Sequence, residues 1–203
     1  MIITYHGGQC VKIVYGDTTI AINPGSKSTK ISSSFGADIA LSSANIEETN
    51  GFDTVTRGDK EPFKISGPGE YEVKDIMIKG VGVTSQKDGK EFMNTSYYFT
   101  IDNINCLVLG PINEPIPTEK RENLGTPDIV FLTISNMKIS DAYKHAVSYD
   151  PSVIIPLDYE ADKNLLSQFL KEAGQNPKAE EKLVYKKKDL DGKEAEVAIL
   201  EKI

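Results

Sequence analysis

The sequence predicts a layered α/β (α+β) domain with a large share of mixed β-sheet. Three observations predict it. β-rich runs punctuated by glycine, Asp-Gly and Asn-Pro turns fill most of the first half. Strand–helix–strand alternation follows them. The 203 residues, 39% of them hydrophobic, suffice for one domain or two small ones and are read as a single domain over residues 1–203.

Ile2-Ile3-Thr4-Tyr5 and Cys10 to Tyr15 are the first two strands, separated by Gly7-Gly8. Gly16-Asp17 turns the chain into Thr18 to Ile22, which stops at Asn23-Pro24-Gly25. Residues 25–36 are polar and Ser-rich and read as a surface loop. Ala37 to Leu41 is short and apolar, as in a strand buried on both faces. Phe63-Lys64-Ile65, Tyr71-Glu72-Val73 and Ile76 to Val81 continue the β pattern, with Gly67-Pro68-Gly69 as a turn. Lys87-Asp88-Gly89-Lys90 marks a hairpin. Ser96 to Thr100 and Asn105 to Leu109 flank the Asp102-Asn103 turn, and Ile129 to Ile134 and Val153 to Pro156 are further apolar strands. Between these last two, Ser140 to Tyr149 reads as a helix with Ser140 as N-cap and Asp150-Pro151 as its stop. Ala161 to Ala173 carries an apolar stripe, Leu165, Leu166, Phe169 and Leu170, and ends at Gly174, where a C-cap glycine belongs. Lys182 to Ile203 reads as two strands across Asp191-Gly192, with Lys186-Lys187-Lys188 as a solvated turn or edge.

Charge and composition exclude several classes. Lys and Arg total 23 against 30 Asp and Glu, a net charge of −7, with Arg57 and Arg121 the only arginines. Such a chain lacks the footprint of a nucleic-acid binder. It has no run of 18 apolar residues, so no membrane span is expected. The start Met1-Ile2-Ile3-Thr4 lacks signal-peptide character, and Cys10 and Cys106 form no redox or metal spacing; the expected compartment is the cytoplasm. His6 and His145 are the whole histidine complement, too few for a dinuclear zinc site rich in histidine. A Cys10/His6 nucleophilic pair is conceivable, but a cysteine opening a strand is more often core; Cys106 reads as core and His145 as a packing residue.

The segment ITYHGGQCVKIVYGDTTIAINPG resembles the opening strands of the metallo-β-lactamase fold, in the branch of L-ascorbate-6-phosphate lactonase and the bacterial Zn-dependent hydrolases. Further matches follow in order: the strand after Ala37-Asp38, GPGEYEV at Gly67 to Val73, CLVLG ending at Gly110, Pro127 to Leu132, and Ser152 to Tyr159. They cover about residues 1 to 160. The resemblance implies an αββα sandwich, two mixed sheets face to face with helices outside and a cleft at one sheet edge.

That family's chemistry lies in a Thr-His-x-His-x-Asp-His loop whose metals activate a bridging water. In the matching loop Ser43 and Asn45 stand at the first two histidines, Glu47 at the aspartate and Glu48 at the last histidine. The later histidine falls near Thr84-Ser85, the bridging aspartate on Pro111 and the final histidine on Asp158. Asn23 and Gly8 replace two further residues of the pattern. The motif therefore reads as degenerate. No metal is expected, and the chain reads as a non-catalytic binding or structural module. The alternative is a hydrolase of a phosphoester or lactone using Mn²⁺, Mg²⁺ or Ca²⁺ on the carboxylates of Glu47, Glu48 and Asp158. A third reading, a homo-oligomeric assembly subunit, draws on the family's habit of forming oligomers; no nucleic-acid or membrane partner is expected.

Overall fold

A computed structural model describes residues 1–29, 31 and 34–203. Lys30, Ser32 and Ser33, in the serine-rich loop, lie outside the described residues. The chain opens with the meander β1 (Ile2–Gly7), β2 (Cys10–Tyr15) and β3 (Thr18–Ile22), followed by β4 (Ile39–Leu41) and β5 (Phe63–Ile65). β1 to β3 pair antiparallel; β3, β4 and β5 run parallel. The second sheet starts with β6 (Gly69–Val73), β7 (Ile76–Lys87), β8 (Lys90–Ile101) and β9 (Ile104–Val108), all antiparallel. The helix α1 (Thr118–Arg121), β10 (Ile129–Thr133), α2 (Ile139–Val147), β11 (Val153–Leu157) and α3 (Lys163–Ala173) come next. Short strands β12 (Ala179–Glu180), β13 (Leu183–Val184), β14 (Glu196–Val197) and β15 (Ile199–Leu200) close the chain.

Among the described residues the first sheet has the order β13-β1-β2-β3-β4-β5 and the second β14-β11-β10-β9-β8-β7-β6; β12 and β15 pair separately. Period-2 alternation turns Ile3, Tyr5, Ile13, Ile22 and Leu41 of the first sheet toward Tyr97, Phe99, Phe131 and Ile155 of the second, all fully buried. Burying each such side chain contributes about 1.5–3 kcal/mol. The strands β9, β10 and β11 are apolar on both faces. Their outer residues Leu107, Val130, Leu132 and Ile154 pack under Ala142 and Ala146 of α2 and Phe169 of α3.

The two mixed sheets and the helical cover match the expected architecture, with local corrections. Over the outer face of the first sheet the described cover includes a 3₁₀ turn, Phe52–Val55, seated on Ala21, Ala37 and Ala40. The helices α2 and α3 pack on the second sheet. Strands β7 and β8 run to the Asp88-Gly89 turn as twelve-residue partners. Gly80, Gly82 and Thr95 hide this in the sequence by breaking the apolar alternation. Helix α2 starts at Ile139, its N-cap position is Lys138 without a side-chain cap, and Ser140 sits inside the first turn. Helix α3 starts at Lys163, capped by Asp162, whose carboxylate accepts from Asn164 N at 2.9 Å; Gly174 closes it at φ 65° as expected.

The expected terminal hairpin is not formed. β13 joins the first sheet and β14 the second. Between them a 3₁₀ turn, Lys187–Leu190, buries Leu190, and Lys187 pairs with Asp128 at 2.6 Å. The basic cluster thus forms a turn rather than an edge strand.

Candidate functional site

Strands β3, β4, β9, β10 and β11 all finish at one end of the sandwich, called the upper end below, and the segments that follow them meet there. Every sequence-predicted site residue lies on those segments. The turn between β1 and β2 joins them: Tyr5 donates its hydroxyl to Gly8 O at 2.8 Å and accepts from Asp158 N at 3.1 Å. Burial raises the Tyr5 pKa far above the ordinary phenol range, with Glu160 adding to it, so its proton stays in place.

Asn23, fully buried at φ 46°, accepts from Ser43 N at 2.7 Å and so ties the end of β3 to the end of β4. Gln9, also buried, accepts from Thr133 Oγ1 at 3.2 Å and lies 3.5 Å from Asn23 Nδ2. The Ser43 carbonyl accepts from Thr95 N at 2.7 Å, which laces the loop after β4 to the second sheet. Ser85 lies 2.8 Å from the Pro111 carbonyl and 2.9 Å from Asn113 Oδ1. Asn136 donates to the same Pro111 carbonyl at 2.8 Å and to Gln86 O at 3.1 Å. Ser135 donates to the Asp158 carboxylate. In these contacts the loops of the upper end are joined by uncharged donors and by the Asp158 carboxylate.

Each of the five candidates has its own local surroundings. Ser43 is buried and its hydroxyl oxygen has no hydrogen-bond partner among the described residues, a condition shared by Asn94 Oδ1. Both crowd Gly110, where a Cβ would stand 2.4 Å from Asn94 Oδ1 and 2.8 Å from Ser43 Oγ; with φ at 72°, only glycine fits. Asn45 is exposed and accepts from Asn50 Nδ2 at 2.7 Å. Glu47 is exposed and accepts from Ser28 at 2.9 Å. Glu48 pairs with Lys87 at 3.1 Å; partial burial pushes its pKa up, but its backbone N–H and Lys87 outweigh this and the net shift is downward. Asp158 is bound to Ser135 as above. Among the described residues no group of three or more His, Cys, Asp or Glu side chains is placed to hold a metal ion.

The two histidines and two cysteines are all buried. His6 is buried, its ring 4.6 Å from that of Phe35, and Cys10 is fully buried. Cys106 is core, and burial pushes its thiol far up. His145 on α2 is buried and accepts from Ile116 N at 3.3 Å; burial, with Arg121 nearby, lowers its pKa to about 4. Sequence reasoning missed Gln9, Asn94, Asn113 and Asn136 as parts of this end. The one available signal was Asn94, an amide inside an otherwise strand-forming run.

Two mixed sheets packed face to face, with the strand ends gathered at one edge, define the metallo-β-lactamase fold. The chain belongs to the corresponding superfamily, since the family model described as "Beta-lactamase superfamily domain" matches residues 2–158. Among solved structures it is similar to a protein of Thermotoga maritima assigned to the Zn-dependent hydrolases of the metallo-β-lactamase superfamily. Identity is 22%, coverage 98% of this chain and 97% of that one, and the TM-score 0.73. A protein of Parabacteroides distasonis described as a metal-dependent hydrolase follows at 18% identity, 97% and 91% coverage and TM-score 0.69. An isothiocyanate hydrolase from Delia radicum gut bacteria shares 12% identity, covers 92% and 100%, and has a TM-score of 0.68. These likenesses establish the fold. No curated protein matches the chain. No helix among the described residues is long and apolar enough to cross a membrane.

Proposed function

We propose that the chain is a metallo-β-lactamase-fold protein that works as a non-catalytic binding or structural module. The observation that carries this reading is the donor set at the upper end. Gly8 and Pro111 offer no ligating side chain, Ser43 and Asn45 are neutral oxygen groups, and the carboxylates of Glu47, Glu48 and Asp158 are each engaged by a different neighbour. These residues do not fit a pair of zinc ions, which need imidazole, thiolate or several free carboxylates within about 2.0–2.3 Å of each metal. The motif is degenerate in this sense, and hydrogen bonds between loops take over the joining role of a bridging ion. Fold membership alone does not supply activity.

The test is a hydrolysis assay on a model lactone and a model phosphomonoester in the presence of Zn²⁺, Mn²⁺, Mg²⁺ or Ca²⁺. The expected result is no cation-dependent turnover above buffer. Turnover that requires a cation and disappears in Glu48→Ala would instead establish the carboxylate-based hydrolase.

A further inference from the structure

At the opposite, lower end three hairpin turns, Gly16-Asp17, Lys74-Asp75 and Asp102-Asn103, enclose a cavity of about 540 Å³. Its lining includes the buried side chains Ile76 and Ile101 and the exposed Tyr15 and Met77, which are 47% and 57% accessible. The charge of the lining is biased. Lys74 is engaged by Asp38 at 3.0 Å, and Asp102 is paired with the Met1 ammonium at 2.9 Å. Asp17 and Asp75 have no side-chain partner among the described residues.

We propose that this cavity is a docking site for a segment of a partner protein that presents an arginine or lysine side chain. Such a side chain has a long aliphatic stem and a cationic head. The stem lies along Ile76, Met77 and Ile101. The head meets Asp17 and Asp75, with the Tyr15 ring as a cation–π wall. The net charge of −7 adds long-range attraction for a basic partner. A second copy of this chain fits poorly, because a two-fold contact would set Asp17 and Asp75 against their own equivalents. The inference extends the binding-module reading by naming a partner chemistry, and it rests on the end of the molecule remote from Glu48 and Asp158.

The experiment pans a random dodecapeptide phage library on the immobilised full chain, then titrates an enriched peptide into ¹⁵N-labelled protein. The expected peptides carry Arg or Lys beside Leu, Ile or Met, and they shift the amides of residues 16–18, 74–77 and 100–103. The double variant Asp17→Asn/Asp75→Asn should weaken binding about tenfold or more, as loss of charge-assisted contacts does. Met77→Ser, at an exposed position, should weaken it less. Several results would overturn the proposal: no enrichment, an acidic or uncharged consensus, or shifts centred on Ser43, Asn94 and Asp158. Butylamine binding as tightly as the peptide would make the cavity a small-amine site instead. A dimer in sedimentation that Met77→Ser dissolves would make it a self-association surface. None of these outcomes depends on cation-dependent turnover, so failure here and failure of the non-catalytic reading are separable.

Discussion

The two ends of the sandwich are fastened by different chemistry. The lower end, where β4, β9 and β10 begin, is held by ion pairs: Asp38 with Lys60 and Lys74 at 2.5 and 3.0 Å, Asp102 with the Met1 ammonium, and Asp128 with Lys187. The upper end, where the same strands finish, is held mainly by amides and hydroxyls, Asn23 to Ser43, Thr133 to Gln9, Ser85 and Asn136 to Pro111, together with the Glu48–Lys87 ion pair. The contrast teaches where sequence constraint falls. Ion pairs between exposed lysines and carboxylates tolerate rearrangement and are screened by salt. Buried neutral hydrogen bonds are short-ranged, and each broken one leaves an unsatisfied group.

The largest expected difference between the ends is read by two glycines of similar backbone angle. Gly110 has φ 72° and would press a Cβ into Asn94 and Ser43, whereas Gly16 has φ 59° with nothing within 4 Å of its Cβ position. Gly16→Ala should cost about 1–2 kcal/mol, the left-handed backbone penalty alone. Gly110→Ala should add about 1–3 kcal/mol of overpacking to that. Urea denaturation of both variants checks the ranking, and equal losses would erase the distinction.

A smaller effect is expected from Asn23→Ala, which removes the acceptor for the buried Ser43 N–H and should cost about 1–3 kcal/mol. The loss should be nearly independent of salt between low and high ionic strength, because no charge is involved. A strong salt dependence in the same melting series would show that the upper end is not held as described.

Further effects appear in pH. The folded pKa of Asp38 falls to about 2: partial burial raises it, but Lys60, Thr19 N–H and Lys74 outweigh this. Its ordinary value is 3.8, so the stability it contributes is present above that pH and is lost as pH drops through about 2. His145 behaves differently. Its pKa is lowered from 6.5 to about 4, so the unfolded chain takes up the proton first and stability declines as pH falls from 6.5 to about 4. His145→Gln should flatten the upper window and Asp38→Asn the lower, each leaving the other intact in pH-dependent melting.

Much of the framework was legible because its signals are local. Asp-Gly and Gly-Asp turns, apolar alternation from Cys10 to Ile22 and the stripe ending at Gly174 each announce themselves within a few residues. The terminal segment misled because Asp191-Gly192 looks like a hairpin turn while its flanks join different sheets. At the upper end the sequence could flag what stands at Ser43, Glu48, Pro111 and Asp158, but not which neighbours engage those residues. Thr133 and Gln9 are 124 positions apart and Ser85 and Asn113 are 28 apart, so no spacing rule links them. The separate engagement of Glu47, Glu48 and Asp158 is likewise a matter of tertiary contact with Ser28, Lys87 and Ser135.

The most direct test is elemental analysis of the purified chain together with its melting temperature in EDTA and in Zn²⁺, Mn²⁺, Mg²⁺ and Ca²⁺. A cation held only by the folded state must raise stability as its concentration passes its dissociation constant. If hydrogen bonds have replaced the ion, the chain carries no stoichiometric metal and melts at the same temperature in every condition. Close to one or two metals per chain, with a melting temperature that EDTA lowers by several degrees, would contradict the account.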